Sequence, residues 1–156
     1  MIKQLTAWKV GILFFISLSG LFMGCAKDSN NDPDPQLDFR EYKLFNYSSG
    51  SEAEAGSFRI DQLKDGNARL TISLNEAYRQ DGIAFDAVIN TKDEVDNELV
   101  FSYLGSVDGK SGRLVIDPVI SSGSNLPVKY SDLIGKSGFY VKVMNGANVQ
   151  ARGEIK

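Results

Sequence analysis

The sequence predicts an all-β domain, a Greek-key antiparallel β-sandwich of seven or eight strands, on three observations. From Phe39 onward, apolar and polar residues alternate in short segments, the period of a strand with one buried face. Glycine, asparagine and aspartate clusters separate those segments, as tight turns require. No stretch in this region carries the long 3.6-residue periodicity of an amphipathic helix.

Tyr42 to Tyr47 makes the first strand, and the Ser/Gly/Glu/Ala stretch from Ser48 to Gly56 breaks the pattern as a loop. Ser57–Leu63 and Ala68–Leu74 both alternate, and Lys64-Asp65-Gly66-Asn67 between them carries the Asp-Gly signal of a hairpin turn. Their periodicity puts Phe58, Ile60, Leu70, Ile72 and Leu74 inside, with Arg59, Asp61, Arg69 and Thr71 facing water. Ile83–Ile89 and Leu99–Leu104 are further strands around an acidic loop, and Val107–Gly112 leads into Leu114-Val115-Ile116. Tyr130–Gly135 reads as one helical turn, capped by Ser131 and stopped by Gly135. Phe139–Met144 and Val149–Ile155 complete two packed sheets, immunoglobulin-like in outline.

The N-terminal residues are of another kind. Lys3 and Lys9 precede an apolar stretch from Val10 to Phe22, shorter than the roughly 20 residues that cross a bilayer comfortably. Residues 1–24 therefore read as a signal peptide. Leu21-Phe22-Met23-Gly24-Cys25 resembles a lipobox, in which the cysteine is acylated and becomes the first residue after cleavage; Phe22 departs from the usual aliphatic residue. Cys25 is then the lipid anchor to the membrane. Residues 25–38 are a polar, Asp- and Pro-bearing tether, and residues 39–156 are the β-domain. Acidic residues beside the cysteine resemble the signal that exports some lipoproteins to the cell surface. The expected location is the cell envelope, lipid-anchored in the outer membrane and facing either the surface or the periplasm. Cys25 is the sole cysteine, so the domain has no internal disulfide and is held by packing.

Composition narrows the chemistry. The chain has no histidine, the usual neutral-pH base and the commonest transition-metal ligand. The net charge is −3; without Lys3 and Lys9, 15 basic residues face 20 acidic ones, a net −5. That balance, and the lack of any basic run or Gly-rich phosphate loop, exclude nucleic acid as an expected partner.

Five segments carry a resemblance. They are Gly82-Ile83-Ala84-Phe85-Asp86-Ala87-Val88-Ile89-Asn90, Leu104-Gly105-Ser106-Val107-Asp108-Gly109-Lys110-Ser111-Gly112, Val128-Lys129-Tyr130-Ser131-Asp132-Leu133, Gly138-Phe139-Tyr140-Val141-Lys142-Val143 and Gln150-Ala151-Arg152-Gly153-Glu154-Ile155. With the strand-turn-strand opening, their order and spacing across residues 56–155 resemble the CHRD family, named for a domain of chordin and widespread in bacterial secreted proteins. The resemblance implies a sandwich similar in outline to copper-zinc superoxide dismutase. The family's His-Pro-Ala-His-Ile-His stretch falls on Phe85–Asn90, and a further histidine near Val143; all are replaced here. Metal chemistry of the family's kind is therefore not expected, and Phe85 and Val88 read as strand packing.

Candidate sites are few. Asp93, Glu94, Asp96 and Glu98 offer oxygen ligands for Ca²⁺, but they lack the glycine and spacing of an EF-hand and read first as a solvated acidic loop. Asp108 beside Gly109 and Ser111 reads as a turn residue. Tyr42, Tyr47, Tyr78, Tyr103, Tyr130 and Tyr140 could form a sugar or peptide platform, or serve as half-buried strand packing. No nucleophile and base are brought together by any motif, so no catalytic residue, enzyme activity or cofactor is expected. The leading expectation is a non-catalytic cell-envelope lipoprotein presenting a binding or structural module to an envelope protein or glycan. The alternatives are a glycan- or solute-capturing surface lipoprotein working with an outer-membrane transporter, and a calcium-dependent adhesin or a hydrolase.

Overall fold

A computed structural model describes residues 37–47, 53–93 and 95–156. The expected leader, Cys25, residues 25–36 of the expected tether, residues 48–52 and Glu94 lie outside the described residues; Glu54–Gly56, expected within the Ser48–Gly56 loop, are strand instead.

The chain forms eight strands: β1 (Phe39–Asn46), β2 (Glu54–Gln62), β3 (Ala68–Leu74), β4 (Ala84–Lys92), β5 (Glu98–Asp108), β6 (Arg113–Ile116), β7 (Tyr140–Asn145) and β8 (Asn148–Glu154). One helical turn, α1 (Tyr130–Ile134), lies between β6 and β7. All neighbouring strands are antiparallel. The order β1-β2-β3-β6-β5-β4-β7-β8 returns to β1, so the sheet is a closed barrel. The expectation of two separate packed sheets is corrected at this point. Two short seams close the ring: Asp108↔Arg113 between β5 and β6, and Phe45↔Arg152 and Asn46↔Ala151 between β1 and β8. The first seam exists because β5 runs on to Asp108, beyond the expected Leu99–Leu104 segment. The second depends on close approach. A Cβ on Gly153 would stand 2.2 Å from the Lys43 carbonyl oxygen and 2.8 Å from the Phe58 ring, so only glycine lets β8 lie against β1 there. Closure leaves fewer backbone groups at open edges.

The β2–β3 hairpin forms as its turn chemistry predicts. Gly66 takes a left-handed φ of 80°, and the Asp65 carboxylate accepts from the Asn67 backbone N–H at 2.9 Å and from its side-chain amide at 2.6 Å. The five residues expected inside are at most 1% exposed. Phe85, Ile89, Leu104, Val107, Val141 and Val143 join them in the barrel interior, each fully buried side chain of this size contributing about 1.5–3 kcal/mol. Leu133 of α1, with Val119 and Val128, buries apolar surface in the same core. The segment around them is tied to the β2–β3 end by backbone bonds from Ala68 to Val128, Val119 to Ala68 and Tyr130 to Gly66.

Two details differ from expectation. Ser131 does not cap α1: Lys129 occupies the N-cap without a side-chain cap bond, while Gly135 donates to the Ser131 carbonyl and ends the turn. Asp61 does not face open water but is only 8% exposed. On the outer surface Arg59 at 2.6 Å and Arg69 at 3.6 Å flank its carboxylate, and Arg59 in turn stacks on Phe39 at 3.8 Å. Long side chains on the same and the neighbouring strand bury an outward residue without moving it inside.

Candidate functional site: the outer face of β5, β4, β7 and β8

Strand β4 sends Phe85, Ala87 and Ile89 into the core cluster. Between and after them Asp86, Val88 and Asn90 alternate onto the outer face. Val88 and Asn90 are nonetheless 5% exposed each, because neighbouring strands crowd them. Val88 is registered with Tyr103 on β5 and Lys142 on β7, and Asn90 with Val100 and Tyr140. Lys142 is then opposite Arg152 on β8, and Arg152 opposite Phe45 on β1. Of the positions where the CHRD resemblance expects histidine, the core takes Phe85 and Val143 and this face takes Val88 and Asn90.

A polar cluster occupies the centre of the face. Lys142 donates to the Glu98 carboxylate at 2.6 Å, with the lysine side chain only 13% exposed and the glutamate 42%. The Asn90 amide donates to the same carboxylate at 3.5 Å. Arg152 lies over the Tyr140 ring, 3.9 Å from its centroid, an arrangement favourable to the cation. Tyr140 is 2% exposed yet outside the inner core. The Lys142 ammonium, then the Tyr140 hydroxyl, hold the Glu98 carboxyl below the usual range. Burial first, and Glu98 second, push the Tyr140 phenol up to about 12. The Tyr140 hydroxyl is therefore near Glu98 and Asn90, but its oxygen has hydrogen-bond geometry with neither, and among the described residues Asn90 Oδ1 is likewise without a partner. Buried polar atoms are normally satisfied, so this pair marks the cluster as incomplete.

Around it stand exposed apolar side chains: Tyr103 is 70% exposed, Phe45 41% and Val100 39%. The six tyrosines do not form one platform. Tyr103 and Tyr47 are exposed, Tyr130 and Tyr140 are buried, and Tyr42 and Tyr78 are half-buried; Tyr42 stacks on Phe58 at 5.0 Å and donates to the Lys156 carbonyl at 3.2 Å.

The acidic loop is organised by its own hydrogen bonds. Asp93 accepts from the Val95 and Asn97 backbone N–H groups at 3.0 and 2.8 Å and from the Asn97 side chain at 3.0 Å, which draws its carboxyl below the ordinary range, the Asn97 side chain most. Asp96 pairs with Lys92 at 2.9 Å, and Glu98 turns away to Lys142. Among the described residues no three such ligands gather to hold a metal ion. Asp108 accepts from the backbone N–H and the hydroxyl of Ser111, both at 2.7 Å, the bonding of a turn.

Comparison with protein families, with curated proteins and with solved structures finds no match.

Proposed function

We propose that this chain is a non-catalytic lipoprotein of the cell envelope, anchored through Cys25, whose CHRD-like barrel is a binding module working through the outer face of β5, β4, β7 and β8. The observation that carries the reading is the juxtaposition there of exposed Tyr103 with a buried cluster containing two unpartnered polar atoms. The Greek-key description belongs to the same reading: β3 to β4 and β6 to β7 are the connections that pass between non-neighbouring strands. The lipobox at Leu21–Cys25 supports the anchor, and the carboxylates of Asp93, Asp96 and Glu98, already engaged, lend little support to a calcium-dependent adhesin.

The anchor is tested by fractionating cells that express the chain and its Cys25→Ala variant. The wild type is expected in the membrane fraction and sensitive to globomycin, with the variant released from it. A variant retained in the membrane with a cleaved leader would contradict the lipobox. Protease shaving of intact cells then separates surface from periplasmic display.

A further inference from the structure

Resting on the binding-module reading, we propose that the outer face of β5, β4 and β7 binds a uronate-bearing glycan. One sugar ring lies between Tyr103 and Lys142, its hydroxyls meet Asn90, Tyr140 and Lys142, and its carboxylate meets Arg152.

The hydrogen-bond inventory selects a hydroxyl-rich ligand. The Lys142 ammonium has three donors, of which Glu98 takes one. Asn90 Oδ1 lacks a donor and Tyr140 Oη lacks any partner, although both residues are more than nine-tenths buried. A carboxylate or phosphate could accept from the lysine and the tyrosine but could give nothing to Asn90 Oδ1. A sugar hydroxyl both donates and accepts, so neighbouring hydroxyls complete the lysine directly, and the covered tyrosine and asparagine atoms once the Arg152 side chain lifts from the Tyr140 ring.

Geometry places the ring. Tyr103 and Lys142 flank Val88 from the two strands beside β4, so their backbones stand about 10 Å apart at the usual strand spacing. Val88, 5% exposed, is the apolar floor between them. The Tyr103 ring, 70% exposed, gives a rigid amphipathic wall of the kind used for sugars and peptides.

Charge selects an acidic sugar. Lys142 is neutralised by Glu98, whereas Arg152 has a ring contact with Tyr140 and, among the described residues, no carboxylate at ion-pair distance. The cluster therefore carries one uncompensated positive charge. A ligand carboxylate that draws the guanidinium off the Tyr140 ring also uncovers that residue.

The test is calorimetric titration of the purified full-length chain with tetragalacturonate and with its carboxyl-reduced, neutral counterpart. The expected result is binding of the acidic oligosaccharide, with the neutral one about tenfold weaker, one good charge-assisted contact. Tyr103→Ala is expected to weaken both about tenfold, and Arg152→Gln to abolish the preference between them. Equal affinity for the two, or no heat with either, overturns the assignment. The binding-module reading fails separately, when a photo-crosslinker at position 103 captures neither protein nor glycan in cells.

Discussion

Replacing Lys142 with methionine keeps most of the side-chain volume while removing the ammonium that sits 2.6 Å from Glu98. Exposed ion pairs contribute roughly 0.2–1 kcal/mol, and breaking a buried pair costs about 3–5 kcal/mol. This pair lies between the two, its lysine 13% exposed and its glutamate 42%. A double-mutant cycle of Lys142→Met with Glu98→Gln is therefore expected to give a coupling of about 1–2 kcal/mol at pH 7, and the single lysine change a fall in Tm of about 3–6 °C. Urea or thermal denaturation of the four proteins reads it. Because Glu98 is held below its unfolded value of 4.5, the coupling is fully present above that pH and fades as pH falls through the lowered folded value. A coupling below about 0.3 kcal/mol at pH 7, or one unchanged in acid, refutes the reasoning.

Other perturbations follow from the same geometry. Gly153→Ala places a Cβ 2.2 Å from the Lys43 carbonyl and is expected to cost about 1–3 kcal/mol by overpacking, seen in chemical denaturation with faster amide exchange along the β1–β8 seam. Leu133→Ala empties a fully buried position of α1 and is expected to cost about 2–5 kcal/mol in the same assay. Tyr140 has its phenol raised from 10.0 to about 12, so its contribution is complete below pH 10 and is lost as pH rises through the folded value. Tyr140→Phe should accordingly flatten the alkaline end of the stability profile.

The β2–β3 hairpin was legible because every local signal agreed: strict alternation on both sides, an Asp-Gly turn and no bulge in the register. Strand β5 was legible only in its first half, Leu99–Leu104 of Glu98–Asp108. Its ladder with β4 slips at Ala87/Val88 and again at Ile89/Asn90, and the first slip, opposite Leu104, breaks the period of two that would have traced the strand to Asp108. Barrel closure rests on one residue pair at one seam and two at the other, non-local contacts that alternation within a segment does not encode. Asp61 and Tyr140 mislead for a related reason: both occupy outward positions and are covered by arginine, Asp61 by Arg59 of its own strand and Arg69 of β3, Tyr140 by Arg152 of β8. The candidate site was invisible for that reason too. Asn90, Glu98, Tyr140, Lys142 and Arg152 are scattered over 63 positions of sequence and meet only through the β5-β4-β7-β8 order. The available clue was weak, polar residues at outward positions of otherwise apolar strands.

The most direct test of the account is amide chemical-shift mapping of the isotopically labelled chain titrated with tetragalacturonate. Shifts are expected to concentrate at Val88, Asn90, Tyr103, Tyr140, Lys142 and Arg152, while Arg59, Asp61 and Arg69 on β2 and β3 of the same barrel stay still. Shifts centred on that arginine–aspartate ladder, or spread without focus, would contradict a binding site on the β5-β4-β7-β8 face.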